Sequence, residues 1–235
     1  MRLIWSLYAM AYDVLTKLVP YRDQLEDIYR ALTLTGTERV LDVGCGTGNV
    51  SCFLKSRRPG LQLCLVEPCR AMMKRAQRKL RDDVGVEFHQ GSLETARLSG
   101  AFDRVLAINV LYCIPKEESS RMISDLLSLM PKGGVLVVSD PAPESTWMAI
   151  AKGHVVGLNG RGLFGQLAAA MGMLVLIPEV IWVALANVAI EVFLRKGIYT
   201  FRSEAEWRDE FPGTSVTVTR TYASQNWLLT IRKEP

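Results

Sequence analysis

Leu41-Asp42-Val43-Gly44-Cys45-Gly46-Thr47-Gly48-Asn49 constrains this chain more than any other stretch. Arg39 to Val43 is a short apolar run and predicts a buried parallel strand. Three glycines follow at once, and Asn49 to Leu54 reads as the start of a helix. Glycine lets the backbone turn sharply and approach a ligand closely, because no Cβ stands in the way. Strand, glycine turn and helix in that order are the beginning of a nucleotide-binding βαβ unit. The dinucleotide fingerprint, however, is G-x-G-x-x-G, and here Asn49 stands where its last glycine belongs. The spacing therefore disfavours NAD and redox chemistry.

A second strand is predicted at Leu61 to Val66, with Glu67 at its C-terminal end. Open α/β sheets bind ligands in the crevice beyond the strand ends, and an acid roughly 20 residues after the glycines is placed to meet a ribose. Its two oxygens can accept from two hydroxyls at once. Alternation at Val86, Phe88 and Gln90 predicts a third strand, followed by Ser92 and Leu93. Phe102 to Ile108 predicts a fourth, leading into Asn109-Val110-Leu111-Tyr112. Met130-Pro131-Lys132-Gly133-Gly134 is a turn before the apolar run Val135 to Val138. Strands and helices alternate as far as Asp140, which predicts parallel βαβ units. Thr214–Thr221 and Gln225–Arg232 are β-rich, and strands so closely connected must be antiparallel.

The glycine nonapeptide resembles the first motif of class I S-adenosylmethionine-dependent methyltransferases, and Glu67-Pro68 with Met72 resembles that family's acid and the helix start after it. Tyr12-Asp13 and Val19-Pro20-Tyr21-Arg22 resemble the N-terminal helices of the ubiquinone/menaquinone-type small-molecule methyltransferases. The resemblance implies a single Rossmann-like α/β domain: a seven-stranded, mostly parallel sheet with a C-terminal antiparallel hairpin and a helical insert before it. It also implies S-adenosylmethionine as cofactor, held by Asp42, Gly44, Cys45, Gly46, Gly48, Glu67, Pro68 and Met72, with Asn109 lining the pocket. Ser92 stands where the family usually has an Asp that meets the adenine amino group, and Leu93 is expected to pack on the adenine face. Asn109 and Tyr112 match the ends of the Asn-Pro-Pro-Tyr motif of amino-methylating enzymes, but both prolines are missing, so nitrogen chemistry does not carry over.

Composition narrows the alternatives. A chain of 235 residues is long enough for one α/β domain with a sizeable core. The net charge of +4 is mild, and the cations of residues 74–81 carry no interleaved aromatics, so they read as a solvated helix face and no nucleic acid is expected. Five cysteines without a C-x-x-C pair suit reduced thiols and a cytoplasmic protein. No metal is expected, since the two histidines, His89 and His154, lack ligand spacing. Ala9-Met10-Ala11 mimics a signal-peptidase site, but the apolar run before it is short and flows into an amphipathic helix. Tyr8, Ala11, Tyr12 and Leu15 recur at helical spacing, so cover helices are expected over residues 1–34, across the cofactor mouth.

The segment Glu144 to Phe211 is far longer than one crossover requires, and Leu163 to Leu194 within it is almost wholly apolar. One helix is expected before Pro178 and one after it. Three uses compete: a lid over an apolar acceptor, docking to a membrane surface or a second subunit, and a true span. Glu179 at the centre makes a span costly. His154, Tyr112 and Tyr12 are the candidates for a general base, should the acceptor start protonated. Two functions remain: methyl transfer to an apolar small molecule or lipid-like acceptor, and a membrane- or partner-docking module on the same fold, peripheral at the inner membrane surface.

Overall fold

The computed structural model describes residues 12–98, 100–158, 200–212 and 214–234, together with Ser6, Ala9, Ile181 and Trp182. Seven strands form one sheet in the order β3-β2-β1-β4-β5-β7-β6. They are β1 (Arg39–Val43), β2 (Gln62–Glu67), β3 (Val86–Gln90), β4 (Arg104–Ile108), β5 (Val135–Pro141), β6 (Val216–Thr221) and β7 (Asn226–Arg232). The first five run parallel; β7 pairs antiparallel with both β5 and β6. This is the mostly parallel sheet with a terminal hairpin that the sequence predicts.

The central strands are apolar on both faces because helices cover both sides. On one side pack α1 (Val19–Leu32), α2 (Asn49–Arg57) and α3 (Arg70–Lys79), which bury Ile28, Leu32, Leu54 and Met73 against Leu63, Leu65 and Leu106. On the other, α4 (Lys116–Ser128) and α6 (Glu204–Asp209) bury Ile123, Leu126 and Trp207 against Leu41, Val105 and Leu136. Helix α5 (Trp147–Leu158) packs along α1. The strand order reverses between β1 and β4, so a crevice opens beyond their C-terminal ends.

The N-terminal cover comes in two pieces: Tyr12–Lys17 forms a 3-10 helix, Leu18 is extended, and α1 starts afresh at Val19. Pro20 in the first turn of α1 has no N–H to donate, which suits a helix start and not a helix interior. Tyr8 and Ala11 lie outside the described residues. Of the long insert, α5 and α6 are seen at its two ends, and Ile181 and Trp182 are helical and exposed. The two helices expected around Pro178 otherwise lie outside the described residues. Among the described residues no helix is long and apolar enough to cross a membrane.

Glu38 anchors the entry to β1. Its carboxylate accepts from the backbone N–H of Thr35, Gly36 and Thr37 at 2.6, 2.8 and 3.1 Å, and from Thr35 Oγ1 at 2.8 Å. Burial alone would push its pKa up, but the hydrogen bonds from Thr35 and Gly36 outweigh it and lower the value from 4.5 to about 2. A depressed carboxylate stabilises the fold above its unfolded pKa, and that stability is lost as pH falls through the folded value. Glu38→Gln is therefore expected to lower the melting temperature at pH 7. The gap to the parent protein should shrink as pH drops from 4.5 towards 2. A gap that stays constant in calorimetric melts across that window would contradict this account.

A candidate cofactor and acceptor cleft

The crevice is a cleft of about 1190 Å³. One wall is the loop after β1. Gly44 and Gly46 have φ of +65° and +57°, in the left-handed region that favours glycine. The N–H groups of Gly44 and Cys45 both donate to Val66 O, at 2.8 and 3.1 Å, which fastens the loop to β2. At the tip of β2, Glu67 is 6% exposed. Its Oε2 accepts from Gly46 N at 3.0 Å and its Oε1 from Cys69 N at 2.6 Å. Burial raises the Glu67 pKa, and the bonds from Cys69 and Gly46 oppose it. Each oxygen keeps a lone pair for a ligand hydroxyl.

Asp42, one strand away, is buried and accepts from Ser51 Oγ at 2.5 Å. Burial pushes its pKa up to about 7; Ser51 opposes the shift, and the charge of Glu67 adds to it. The floor is the loop after β4. Asn109 has φ of +57°, and its N–H donates to Ser139 O at 2.6 Å. Asn226 Nδ2 of β7 donates to Asn109 Oδ1 at 2.8 Å, and Val110 N donates to Asp140 Oδ1 at 3.0 Å. Asp140 is buried, which pushes its pKa up to about 8 against the pull of Val110 and Arg202. Arg202 is itself buried, donates to Ser119 Oγ at 2.6 Å, and lies 4.7 Å from the Trp207 ring.

The 3-10 helix closes over the glycine loop from the far side. Asp13 Oδ1 accepts from Thr47 Oγ1 at 2.6 Å and from Lys79 Nζ at 2.7 Å, and Lys79 also donates to Asn49 Oδ1 at 2.5 Å. Tyr12 is thereby carried onto the cleft wall. Opposite it, the rings of Tyr112 and Phe201 stack at 5.9 Å, beside Cys113 and Ile114. Ile150 and Tyr222 also line the cleft, on the side of Leu15 and Tyr21, and Tyr222 meets Tyr21 edge-on at 6.2 Å.

Most residues expected at the site come together here. Asp42, Gly44, Cys45, Gly46, Glu67, Pro68, Met72, Ser92, Leu93, Asn109, Tyr12 and Tyr112 all line the cleft. Gly48 does not. It heads α2 with φ of +78°, and a Cβ there would stand 3.0 Å from Ala76 Cβ, so it serves close helix packing. His154 is not on the described wall either. It is buried on α5, and its Nδ1 accepts from Val19 N at 3.0 Å, so it caps the start of α1. Asn226, Tyr222 and Phe201 were not anticipated, since they reach the cleft from the far end of the chain.

Residues 40–134 match a family model described as a methyltransferase domain. Over that stretch the chain is similar to methyltransferase domains, and its sheet has the class I methyltransferase fold. Demethylmenaquinone methyltransferase from Thermus thermophilus is 27% identical over 61% of this chain and 68% of its own length. Trans-aconitate 2-methyltransferase from Escherichia coli O1:K1 is 28% identical over 49% of this chain and 44% of its own. The chain spans between 25% and 44% of the length of the three curated relatives matched first. Magnesium protoporphyrin IX methyltransferase from Synechocystis PCC 6803, solved with bound SAH, superposes with a TM-score of 0.56 at 23% identity, covering 90% of this chain and 82% of that one. A mitomycin 7-O-methyltransferase gives 0.62 at 16% identity, covering 93% of this chain and 53% of that one. At these identities the structural likeness establishes the fold.

A Cβ on Gly44 would stand 2.5 Å from Val110 Cγ2, whereas one on Gly133, with φ of +79°, would meet nothing within 4 Å. Gly133→Ala should therefore cost only the backbone term, about 1–2 kcal/mol. Gly44→Ala should cost more, and adding Val110→Ala should recover the difference. Denaturant unfolding of the three variants checks this; equal losses for the two glycines would show that loop contact plays no part.

Proposed function

We propose that this protein binds S-adenosylmethionine and transfers its methyl group to an apolar small molecule or lipid-like acceptor. The observation that carries the reading is Glu67. It is a buried carboxylate at a strand tip on the cleft lining, hydrogen-bonded to the positive-φ glycine loop beside it. The residues fit such a ligand. Glu67 has acceptor capacity left for ribose hydroxyls. Gly44 and Gly46 leave room for backbone approach. Met72 and Leu93 offer apolar surface to a base, with Ser92 beside them. The cofactor, when bound, supplies a methyl group on a sulfonium that is already an activated leaving group.

What remains for the protein is to orient the acceptor and keep water away. The stacked Tyr112 and Phe201 on one part of the lining, and Ile150 and Tyr222 on another, offer apolar surface to an acceptor. The name of the Thermus relative points to a quinone-like molecule, that of the Escherichia coli relative to a small acid. The aromatic lining favours the former. Of the three base candidates, Tyr112 and Tyr12 face the cleft. His154 holds its Nδ1 against Val19 N and makes the weaker candidate.

A second reading, docking to a membrane surface or to a second copy, is favoured by one observation. Met148, Val155 and Val156 of α5 are 79%, 59% and 57% exposed, and Trp182 is 40% exposed. Such a patch is the kind that marks a contact surface. It is compatible with an apolar acceptor, and liposome flotation separates the two.

Incubating the protein with methyl-labelled S-adenosylmethionine and apolar extracts should yield a labelled product by mass spectrometry. Calorimetry should register S-adenosylmethionine and not NAD. Glu67→Ala should weaken cofactor binding by about 1.5–3 kcal/mol, the range for hydrogen bonds to a charged group, while the fold survives. An unchanged dissociation constant would remove Glu67 from the ribose site.

A further inference from the structure

We propose that Cys64, Glu87 and His89 form a binding site for a divalent transition-metal ion of the zinc class, on the sheet edge away from the cleft. Parallel pairing of β2 and β3 sets Cys64 beside Glu87 and Val66 beside His89. Side chains paired this way leave the same face of the sheet, and residues two apart in a strand share it. A thiol, a carboxylate and an imidazole therefore converge on one face of an edge strand. Their ligand atoms all lie within 4.8 Å of one another. Ligand atoms around a tetrahedral zinc stand about 3.5 Å apart, so small rotamer changes close the site.

The surroundings leave the ion a way in. The connection from β3 to β4 holds no helix among the described residues, so the face of β3 that carries Glu87 and His89 lacks the helical cover that α3 gives its other face. Cys64 is buried at the base of the group, whereas the side chains of His89 and Glu87 are 32% and 61% exposed above it. An ion enters from the His89–Glu87 side and meets the sulfur last, with water as its fourth ligand. The donor set of one sulfur, one nitrogen and one oxygen is what zinc accepts and what magnesium and calcium do not. Burial pushes the Cys64 thiol up to about 12, helped by Glu87 and opposed by Arg39. Binding must therefore release the thiol proton to solvent, and affinity rises with pH. Arg39 Nη2 lies 3.8 Å from Glu87 Oε2 and competes with the ion for that carboxylate.

Titration with Co²⁺, which takes zinc sites and reports thiolate ligation by charge-transfer absorption, tests the assignment. The intact protein should bind one equivalent with that absorption, and Zn²⁺ should bleach it. Cys64→Ser should abolish the absorption. His89→Gln, at a half-exposed position where folding is not at stake, should weaken binding by more than the ~10-fold that loss of an outer partner costs. Arg39→Gln should tighten it. Absence of Co²⁺ binding, or a signal that persists undiminished in Cys64→Ser and His89→Gln because other cysteines supply it, overturns the proposal.

Discussion

The Glu67 carboxylate ties two loops together at the point where the sheet changes direction. Without it, the N–H of Gly46 and the N–H of Cys69 would each be left seeking a partner in a buried place. With it, the turn after β1 and the entry to α3 are fixed relative to each other, and the cleft has a defined mouth. The cost is a carboxylate held out of water, visible in its raised pKa. The hydrogen bonds from Cys69 and Gly46 oppose that cost. Nearby, Ser51 donates a hydrogen bond to the buried Asp42, and Lys79 of α3 donates to Asn49.

A similar arrangement governs the other side of the cleft. The loop after β4 has little regular structure of its own, so its groups are satisfied from elsewhere. Ser139 and Asp140 of β5 accept from its backbone, and Asn226 of β7 reaches Asn109. Arg202 lies behind, buried with the indole of Trp207 over which it stacks. Positioning by partners from three distant parts of the chain lets the Asn109 backbone hold a conformation that L residues seldom adopt.

Local patterns made the first half of the fold legible. Strands β1, β2, β4 and β5 announce themselves as apolar runs and β3 as an alternation, and residues that line the cleft follow β1 to β4 directly. Asp42, Gly44, Glu67 and Asn109 are found in sequence for that reason. Gly48 packs against α3 instead of lining the cleft, and a glycine for helix packing and one for ligand approach look alike in a linear pattern. The hydrogen bond from Val19 N to His154 is not legible in sequence, because Val19 belongs to an element more than a hundred residues earlier. The zinc-class cluster stayed invisible for a related reason. Spacing rules for ligands assume one helix or one turn, whereas here neighbouring strands supply the donors. The long apolar insert carries a period but no partner in the sequence, so composition alone left its use open.

The position of β7 has a consequence for how the molecule assembles. The pairs β1–β2, β2–β3 and β4–β5 form through βαβ units of short reach, which are the inexpensive contacts in a folding chain. Strand β5 takes its outer neighbour from far down the sequence: Pro141 pairs with Asn226 and Val135 with Arg232. The nucleotide half of the sheet is therefore able to organise early, while β5 presents an open hydrogen-bonding edge of apolar residues until Asn226–Arg232 docks. During synthesis that edge emerges long before the strand that covers it. The interval between the two is when this chain is most exposed to pairing with the wrong partner.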